Sequence, residues 1–460
     1  MAKKIIALCI PFVIFFGLFW AFFYMFQTPE IYHKTLGKIS KNYEYVGGGM
    51  REKVSKPYLE ITNENMVQWD GEHYKEIRDN GYKKKAEVGL DYIFAFFPLF
   101  PFIWKISMVS PIGVIFLNFF LFTAGLLILF FLFKKKISDI FLFLSLPLVV
   151  CFLVPHTEAV FFLMGAIALL GHLKGKYWLY FLGMALVALT RNAFTLILPA
   201  MICAEILFFL QNRNTKSSLI RLSKAVLPVI TGTLVLAIIQ YLQGSSSFLN
   251  FLTVQEQWGH SLSLPNLLKL GDWSHESFGI NVPTLIIVGI PIVVYLGLIF
   301  LKQCRIIKSQ DTVFQIQDNK QNYAFLVSLF CCVAAISFVL FFQKGNLHGL
   351  SRFILATPYF AVALFLGFNK IKNISISKRV ITLVLLIIFS FLIFFFTQYT
   401  LFSFSYAGFF ILVTTIGLYV LQDLSSSLIY KIILSTNFVC NIIFTTYLFN
   451  MYISNGWLFL

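Results

Sequence analysis

The sequence predicts an all-α, polytopic membrane protein, and three features lead to that prediction. Of the 460 residues, 58% are hydrophobic, 18% are aromatic and only 12% are charged. A soluble domain carries about a quarter charged residues. The apolar residues are concentrated in stretches of roughly 17–25, the length of a helix that crosses about 30 Å of hydrocarbon. These features exclude a water-soluble globule and a disordered chain.

The apolar stretches predict a bundle of eleven to thirteen membrane-spanning helices, with thirteen as the preferred count. Within 137–210 the stretches are short, so neighbouring spans can be merged or split there. The first stretch is too long for the h-region of a secretory signal and no small-residue cleavage site follows it, which favours a first span. The predicted spans are 5–26, 111–133, 137–154, 157–172, 176–190, 193–210, 225–243, 283–301, 322–342, 352–368, 380–397, 401–421 and 428–452.

The basic residues predict the orientation of these spans. Lys and Arg outnumber Asp and Glu by 36 to 20, and the excess lies in short clusters between apolar stretches, a pattern of membrane orientation rather than of nucleic acid binding. Lys3 and Lys4 predict a cytoplasmic N-terminus. The segment 27–90 is basic and predicted outside, but long loops cross regardless of charge. Alternation then puts five basic clusters inside, at 134–136, 172–176, 213–224, 302–320 and 370–379.

The first unusual polar segment covers residues 65–82 and predicts a short helix that ends at Gly81 as its C′ residue. In such a helix Asp70, His73, Tyr74 and Ile77 share one face. Two interpretations of Asp70 remain open. It could cap the helix, with Glu72 favouring the positive helix N-terminus, or it could act as a general base towards a hydroxyl.

The next segment is an aromatic run at 94–105 that contains Pro98 and Pro101. Two prolines three residues apart break a helix and predict an interfacial or re-entrant element. Its aromatic side chains could anchor the chain at the headgroup level or form a wall for a lipid chain.

Three further polar segments lie between apolar stretches on the same predicted side of the membrane. His156 and Glu158 could cap the following helix or mark a functional site, because ionisable groups near membrane depth are costly. Arg191 has no acid beside it in the sequence, so it either snorkels or binds an anion such as phosphate. Lys344, His348 and Arg352 are three groups that can carry positive charge between two apolar stretches. Lys344 and Arg352 could be interface anchors, or they could form a basic pocket for phosphate together with Arg191.

The sequence contains no signature of a soluble nucleotide site, a serine nucleophile elbow or a zinc protease. The long loop 244–282 contains His260 and His275 near acids, but neither spacing matches a zinc signature. The seven cysteines lie in or beside apolar stretches and are expected to be small buried hydrophobic residues. No metal site is therefore predicted, and a need for a divalent metal stays open.

One pattern of residues resembles a known family. The run Trp69-Asp70-Gly71-Glu72-His73-Tyr74, with Ile77, Gly81 and Tyr82, is followed by Phe96-Phe97-Pro98-Leu99-Phe100-Pro101. Together they resemble the signature of the PIG-V-type mannosyltransferases, the group that includes the second mannosyltransferase of GPI-anchor assembly. The order continues with 156–158, 191–192 and Arg352 before Pro358, so the resemblance covers about residues 5–368.

The resemblance implies a GT-C fold with an extracytoplasmic first loop that carries short amphipathic helices. It divides the chain into a catalytic core, 1–368, with loop 1 and the re-entrant segment at 27–110, and C-terminal helices at 369–460. It implies transfer of a hexose, mannose in particular, from a polyprenyl- or dolichyl-phosphate sugar to an acceptor hydroxyl on a glycolipid, glycan or protein. The expected location is the plasma membrane of a prokaryote or the endoplasmic reticulum of a eukaryote.

By the same resemblance Asp70 is the expected catalytic base of an inverting displacement. The paired acids of many GT-C enzymes correspond here only to Asp70 and Glu72, which diverge on a helix. Arg191, with Lys344 or Arg352, is expected to hold the lipid phosphate, and His73 and His156 to orient sugar or phosphate. The expected substrate-binding residues are Trp69, Glu72, His73, Tyr74, His156, Glu158, Arg191, Lys344, His348 and Arg352.

Two other functions are compatible with the sequence. A transporter or lipid flippase has the same composition, but it predicts inverted repeats and interrupted helices near the midplane, and no internal repeat is evident. A GT-C enzyme or ligase for another sugar has the same architecture.

Overall fold

The structure, a computed structural model, describes residues 2–28, 43–46, 49–52, 61–87, 89, 91–258, 260–264, 280–306, 317–345, 347–397 and 404–453. Across these residues the chain is helical apart from one antiparallel hairpin, in which β1 (Tyr43–Val46) pairs with β2 (Gly49–Glu52). Eight of the described helices are long and apolar enough to cross a membrane. The prediction of a helical polytopic membrane protein is therefore confirmed.

Eighteen helices are described, several of them short. The first nine are α1 (Ala2–Phe26), α2 (Asp70–Asn80), α3 (Lys83–Glu87), α4 (Leu99–Ser107), α5 (Gly113–Phe133), α6 (Ile137–Leu144), α7 (Glu158–Lys174), α8 (Tyr177–Ala188) and α9 (Ala193–Asn212). The others are α10 (Thr215–Leu242), α11 (Asn250–Thr253), α12 (Asn281–Gln303), α13 (Lys320–Phe342), α14 (Leu350–Leu355), α15 (Pro358–Ile371), α16 (Ile376–Thr397), α17 (Phe404–Val420) and α18 (Leu428–Ile453).

The eight long helices are fewer than the eleven to thirteen spans that the sequence predicts. They are α1, α5, α9, α10, α12, α13, α16 and α18. Three shorter apolar helices, α8, α15 and α17, coincide with predicted spans. Helix α10 begins at Thr215, ten residues before its predicted start, because Asn214 caps it by accepting a hydrogen bond from the Ser217 backbone N–H.

The predicted span 137–154 is wrong as a continuous helix. Helix α6 ends at Leu144, and only a 3-10 turn at Val149–Phe152 follows. Pro147 lies between them, and a proline disfavours helical backbone at the residue before it. The carbonyls of Leu144 and Leu146 accept hydrogen bonds of 2.7 and 2.9 Å from the buried amide of Asn441, so this irregular backbone is satisfied inside the protein.

The predicted span 352–368 is also interrupted. Helix α14 ends at Leu355, and Thr357 caps α15 by accepting a hydrogen bond of 3.1 Å from the Phe360 backbone N–H. Pro358 is the first residue of α15, the position where a proline costs no helical hydrogen bond. Arg352 consequently belongs to the short helix α14, which lies beside the start of α7.

The described helices pack into one bundle in which the last helix lies against the first. The ring of Phe449 in α18 meets that of Phe19 in α1 edge-on at 5.3 Å between centroids. Helices α7 and α8 approach closely, since a Cβ on Gly183 would lie 2.6 Å from the Ala168 backbone nitrogen. This packing brings the starts of α2, α7 and α14 to one end of the bundle.

Candidate functional site

A cavity of about 230 Å³ lies where these helix starts meet. It is lined by both polar and aromatic side chains from seven separate parts of the sequence. The lining residues are Asp70, Tyr74, Ala95, Phe96, Phe97, Thr157, Thr190, Arg191, Asn192, Thr195, Leu196, Gln255, His260, Phe338, Arg352 and Phe353. Among the predicted site residues, the cavity therefore brings together Asp70, Tyr74, Arg191 and Arg352.

Helix α2 presents Asp70 to this cavity. Asp70 is its first residue, and Trp69, with φ of 55°, occupies the N-cap position without a side-chain capping bond. The interpretation of Asp70 as the cap is therefore wrong, and its carboxylate Oδ2 lies 3.4 Å from Arg352 Nη2. The predicted end of the helix is confirmed, because Gly81 follows it with φ of 67° and its backbone N–H bonds to the Ile77 carbonyl.

The start of α2 is held by close contacts that explain the glycine inside the Trp69–Tyr74 run. A Cβ on Gly71 would lie 3.0 Å from Pro155 Cγ and 3.1 Å from the Tyr452 hydroxyl oxygen. That hydroxyl accepts a hydrogen bond of 3.2 Å from the Gln68 backbone N–H, and it lies 3.1 Å from the Gln68 carbonyl, to which it can donate. The final described helix thus fixes the backbone that precedes Asp70.

Glu158 is the centre of the charged cluster. It is fully buried at the first position of α7, and its Oε1 accepts a hydrogen bond from Arg352 Nε and lies 3.1 Å from Arg191 Nη1. Arg191 is therefore not an unpaired cation, as its sequence neighbours suggested. Its partner lies 33 residues earlier in the sequence (191 − 158), at the start of α7, whereas Arg191 lies in the turn between α8 and α9.

Two arginines and two acids make this cluster neutral in sum. Arg352 links Asp70 to Glu158, and Arg191 contacts the same carboxylate oxygen of Glu158, Oε1. The guanidinium carbon of Arg191 lies 5.7 Å from the ring centroid of Phe161 and 5.4 Å from that of Phe353. Ion pairing on one side and aromatic faces on the others hold this guanidinium in position.

Tyr74 and the histidines near the cluster are held in their neutral forms. Burial, and next the negative charge of Asp70, raise the pKa of Tyr74, so its hydroxyl stays protonated. Burial, and next the positive charge of Arg352, lower the pKa values of His156 and His348 to about 4. Burial also lowers the pKa of His73, whose ring lies 4.4 Å from that of Phe96. These groups can exchange hydrogen bonds with a ligand but carry no charge at neutral pH.

The aromatic walls of the cavity are fixed through their backbone. The Tyr82 hydroxyl donates a hydrogen bond of 2.7 Å to the Phe96 carbonyl, and the Gln240 amide donates one of 2.9 Å to the Phe94 carbonyl. The helix break predicted from the two prolines is present only at Pro98, which occupies the N-cap position of α4 after a 3-10 turn at Asp91–Ala95, whereas Pro101 lies within the first turn of α4. Helix α4 has nine residues, about 13 Å, and is too short to cross a bilayer.

Several predicted site residues do not line the cavity. Glu72 and Lys344 are exposed, and Trp69 packs against the main hydrophobic core. His156 is buried behind the cluster, 5.8 Å from the Tyr452 ring, and His73 and His348 are half-buried. The predicted pocket of Arg191, Arg352 and Lys344 is therefore reduced to the two arginines in this structure.

The predicted site residues omit seven polar side chains that belong to the site, of which Thr157, Thr190 and Thr195 line the cavity. Gln255, His260 and Asn192 also line the cavity, and Tyr452 positions α2. Gln255 Oε1 lies 3.1 Å from His260 Nδ1, which links the two ends of this loop. The QEQW-G-H run at 255–260 was the available signal, whereas nothing in the sequence pointed to Tyr452.

Among the residues that the structure describes, no group of three or more His, Cys, Asp or Glu side chains is arranged to hold a metal ion. His275, noted in the sequence, lies outside the described residues. In the comparisons with known proteins, no family model matches this chain, and neither a curated protein nor a solved structure is significantly similar to it.

Proposed function

We propose that the protein is an integral membrane glycosyltransferase that moves a hexose, with mannose as the first candidate, from a polyprenyl- or dolichyl-phosphate sugar to an acceptor hydroxyl. One observation carries the proposal. A carboxylate, Asp70, and two arginines that share a buried acid line a single cavity at one end of a bundle of apolar helices. This arrangement provides a proton acceptor and an anion-binding group within one site beside lipid.

Asp70 is the proposed base because about a third of its side chain is exposed and it faces the cavity. In the reaction, the acceptor oxygen forms a bond with the anomeric carbon while its proton moves to the Asp70 carboxylate. The bond from that carbon to the phosphate oxygen breaks, and its electron pair stays on the phosphate. One displacement of this kind inverts the configuration of the sugar.

Arg191 and Arg352 are the proposed phosphate-binding groups. The phosphate of the donor gains a negative charge as its bond to the sugar breaks, and preorganised cations stabilise such charge. The contact from Arg352 to Asp70 is long, at 3.4 Å, whereas its contact to Glu158 is short. Glu158 can therefore hold Arg352 by its Nε while the terminal N–H groups of Arg352 turn to the phosphate. The loss of the long contact from Arg352 then leaves the Asp70 carboxylate available to accept the proton.

The dimensions of the cavity favour a headgroup. Its 230 Å³ is less than the roughly 300–1,000 Å³ of pockets that enclose a whole drug-sized ligand. It suits the sugar and phosphate, while the prenyl chain stays in the surrounding lipid. The neutral Tyr74 hydroxyl and the Gln255, Asn192 and His260 side chains are available to bind sugar hydroxyls.

The proposed sidedness follows from the basic loops. Cytoplasmic enrichment of Lys and Arg favours a cytoplasmic N-terminus, which puts the Asp70 cavity on the extracytoplasmic side. The donor would then bind from the outer leaflet of a prokaryotic plasma membrane or from the lumenal leaflet of the endoplasmic reticulum.

The test uses purified full-length protein in vesicles with polyprenyl-phosphate mannose or polyprenyl-phosphate glucose as the donor and a glycolipid with free hydroxyls as the acceptor. It measures release of the sugar from the donor lipid and its appearance on the acceptor. We expect Asp70→Asn to lose sugar release while insertion and thermal stability stay near those of the parent protein. The matched control is Glu64→Gln, a neutralised exposed acid in the same segment outside the cavity. Full activity of Asp70→Asn would contradict its role as base, and movement of the lipid-linked sugar across the vesicle without transfer would favour a flippase instead.

A further inference from the structure

A second and larger cavity, of about 680 Å³, lies at the opposite end of α7. The 17 residues of α7 span about 25 Å between Glu158 and this cavity, so the two sites are separate. The α7–α8 turn, the first half of α10 and the start of α13 form its walls. The lining residues are Gly171, His172, Gly175, Tyr177, Tyr180, Asn214, Lys216, Ser217, Ile220, Arg221, Lys224, Ala225, Lys320 and Tyr323.

Positive charge dominates this cavity. Lys216, Lys224 and Lys320 line it, and none of them forms an ion pair with a carboxylate within the described part of the chain. Arg221 is the lining cation that does pair, with Glu205 at 2.7 Å and Asp318 at 2.8 Å. These two ion pairs compensate the charge of Arg221 and hold its guanidinium in place, while the three ammonium groups have no carboxylate partner among the described residues.

A buried hydroxyl in the same cavity has no hydrogen-bond partner within the described part of the chain. Tyr323 lines the cavity and is only 6% exposed, and its buried hydroxyl forms no hydrogen bond with a described residue. Buried hydroxyls in folded proteins nearly always find a partner. The neighbouring Tyr180 follows this rule, since its hydroxyl donates a hydrogen bond of 2.9 Å to the Ala225 carbonyl. An acceptor oxygen on a ligand would supply what Tyr323 lacks.

The surroundings of the cavity fit the level of lipid headgroups. Tyr177 and Trp178, at the start of α8, are exposed next to it, and such aromatic residues concentrate at the membrane–water interface. Basic pockets between helices on the cytoplasmic side are a common way to bind phosphate-bearing headgroups. The volume lies within the range of pockets that enclose small ligands.

We propose that this cavity binds a phosphate-bearing anion, either the headgroup of an anionic phospholipid of the adjacent leaflet or a free phosphate. The lysines attract the phosphate oxygens, and the Tyr323 hydroxyl donates a hydrogen bond to one of them. The site is independent of the proposed glycosyl transfer, because no residue that lines it lines the Asp70 cavity.

The experiment measures lipid binding to purified full-length protein in neutral detergent by native mass spectrometry. We expect dioleoylphosphatidylglycerol to bind more tightly than dioleoylphosphatidylcholine. The triple substitution Lys216→Gln, Lys224→Gln and Lys320→Gln should raise the Kd for the anionic lipid about 100-fold, since each lysine near the surface contributes roughly fivefold. The matched control replaces three exposed lysines outside the cavity, Lys134, Lys372 and Lys378, by Gln and should change the Kd less than twofold.

Tyr323→Phe separates a binding role from a structural one. The substitution removes an unpartnered hydroxyl, so the melting temperature without ligand should stay the same or rise. The Kd for the anionic lipid should nevertheless rise several-fold, because the ligand loses a hydrogen bond.

Inorganic phosphate distinguishes the two sources of the anion. Competition by millimolar phosphate would show that a phosphate group alone is sufficient for binding to the cavity. Competition by the anionic lipid but not by phosphate would show that binding also requires the rest of the lipid. Either result supports the proposal. Equal binding of the two lipids with no phosphate binding would overturn it. An equal loss in the control triple variant would overturn it as well.

Discussion

Substitution of Glu158 by Gln tests the charged cluster most directly. Glu158 is fully buried and its carboxylate contacts the guanidinium groups of both Arg191 and Arg352. The neutral amide keeps the shape but leaves two cations facing only Asp70, a local excess of 2 − 1 = +1 charge. Removal of one partner of a buried ion pair costs about 3–5 kcal/mol. The arginine side chains are 16% and 21% exposed, so water reaches them and we expect the lower end, about 3 kcal/mol.

The assay is reversible unfolding in mixed detergent micelles, followed by tryptophan fluorescence. Asp79→Asn is the control, because Asp79 and its partner Lys75 are 36% and 43% exposed and ion pairs of such groups contribute less than about 1 kcal/mol. The double variant Glu158→Gln with Arg191→Gln should recover at least about 1 kcal/mol relative to the sum of the single changes, since it leaves one unpaired cation fewer. A loss below about 1 kcal/mol for Glu158→Gln, or strictly additive single changes, would refute the reasoning.

Three further changes test how the site is held. Gly71→Ala adds a Cβ only 3.0 Å from Pro155 Cγ, so Pro155 or the start of α2 must give by a few tenths of an ångström, and the rate of the proposed sugar transfer should fall several-fold. Gly297→Ala, with nothing within 4 Å, should leave the rate unchanged. Tyr452→Phe removes the hydroxyl bonded to the backbone before Asp70 and should lower the free energy of unfolding by about 1–2 kcal/mol in the same assay. The folded pKa of His156 is about 4 against 6.5 in an unfolded chain, so the unfolded state binds a proton that the folded state does not as the pH falls from about 6.5 to 4. The free energy of unfolding should fall over that range, and His156→Gln should reduce this pH dependence; an unchanged pH profile would contradict it.

The sequence predicted those parts of the fold that depend on composition and local spacing. Long apolar stretches identified the helical membrane protein, and the 3.6-residue spacing from Asp70 to Ile77 with Gly81 after it identified α2. The prediction of the helix bounds failed where a local break interrupts an apolar stretch. The hydropathy of a stretch does not show that Pro147 separates α6 from the following 3-10 turn, or that Thr357 caps α15. Both residues lie at an interruption of a stretch that the sequence predicted as one span.

The contacts within the site depend on residues far apart in sequence. Arg191 has no acid beside it along the chain, yet the bundle brings Glu158 to 3.1 Å from it. Lys344 was grouped with Arg352 because they are close in sequence, but Lys344 is exposed and outside the cavity. Charge type indicated which residues matter, whereas the pairing of those residues follows from helix packing, which no local pattern specifies.

The hydrogen bonds of Tyr452 have a consequence for biogenesis. The backbone they hold is translated 384 residues before the tyrosine that holds it. During synthesis and insertion, the segment that carries Asp70 therefore lacks this support until the end of the described chain has been made. Helix α18 must be synthesised and must pack into the bundle before Asp70 is held in the position that it has in the cavity. Premature release of the nascent polypeptide would consequently yield a protein in which the start of α2 is not fixed.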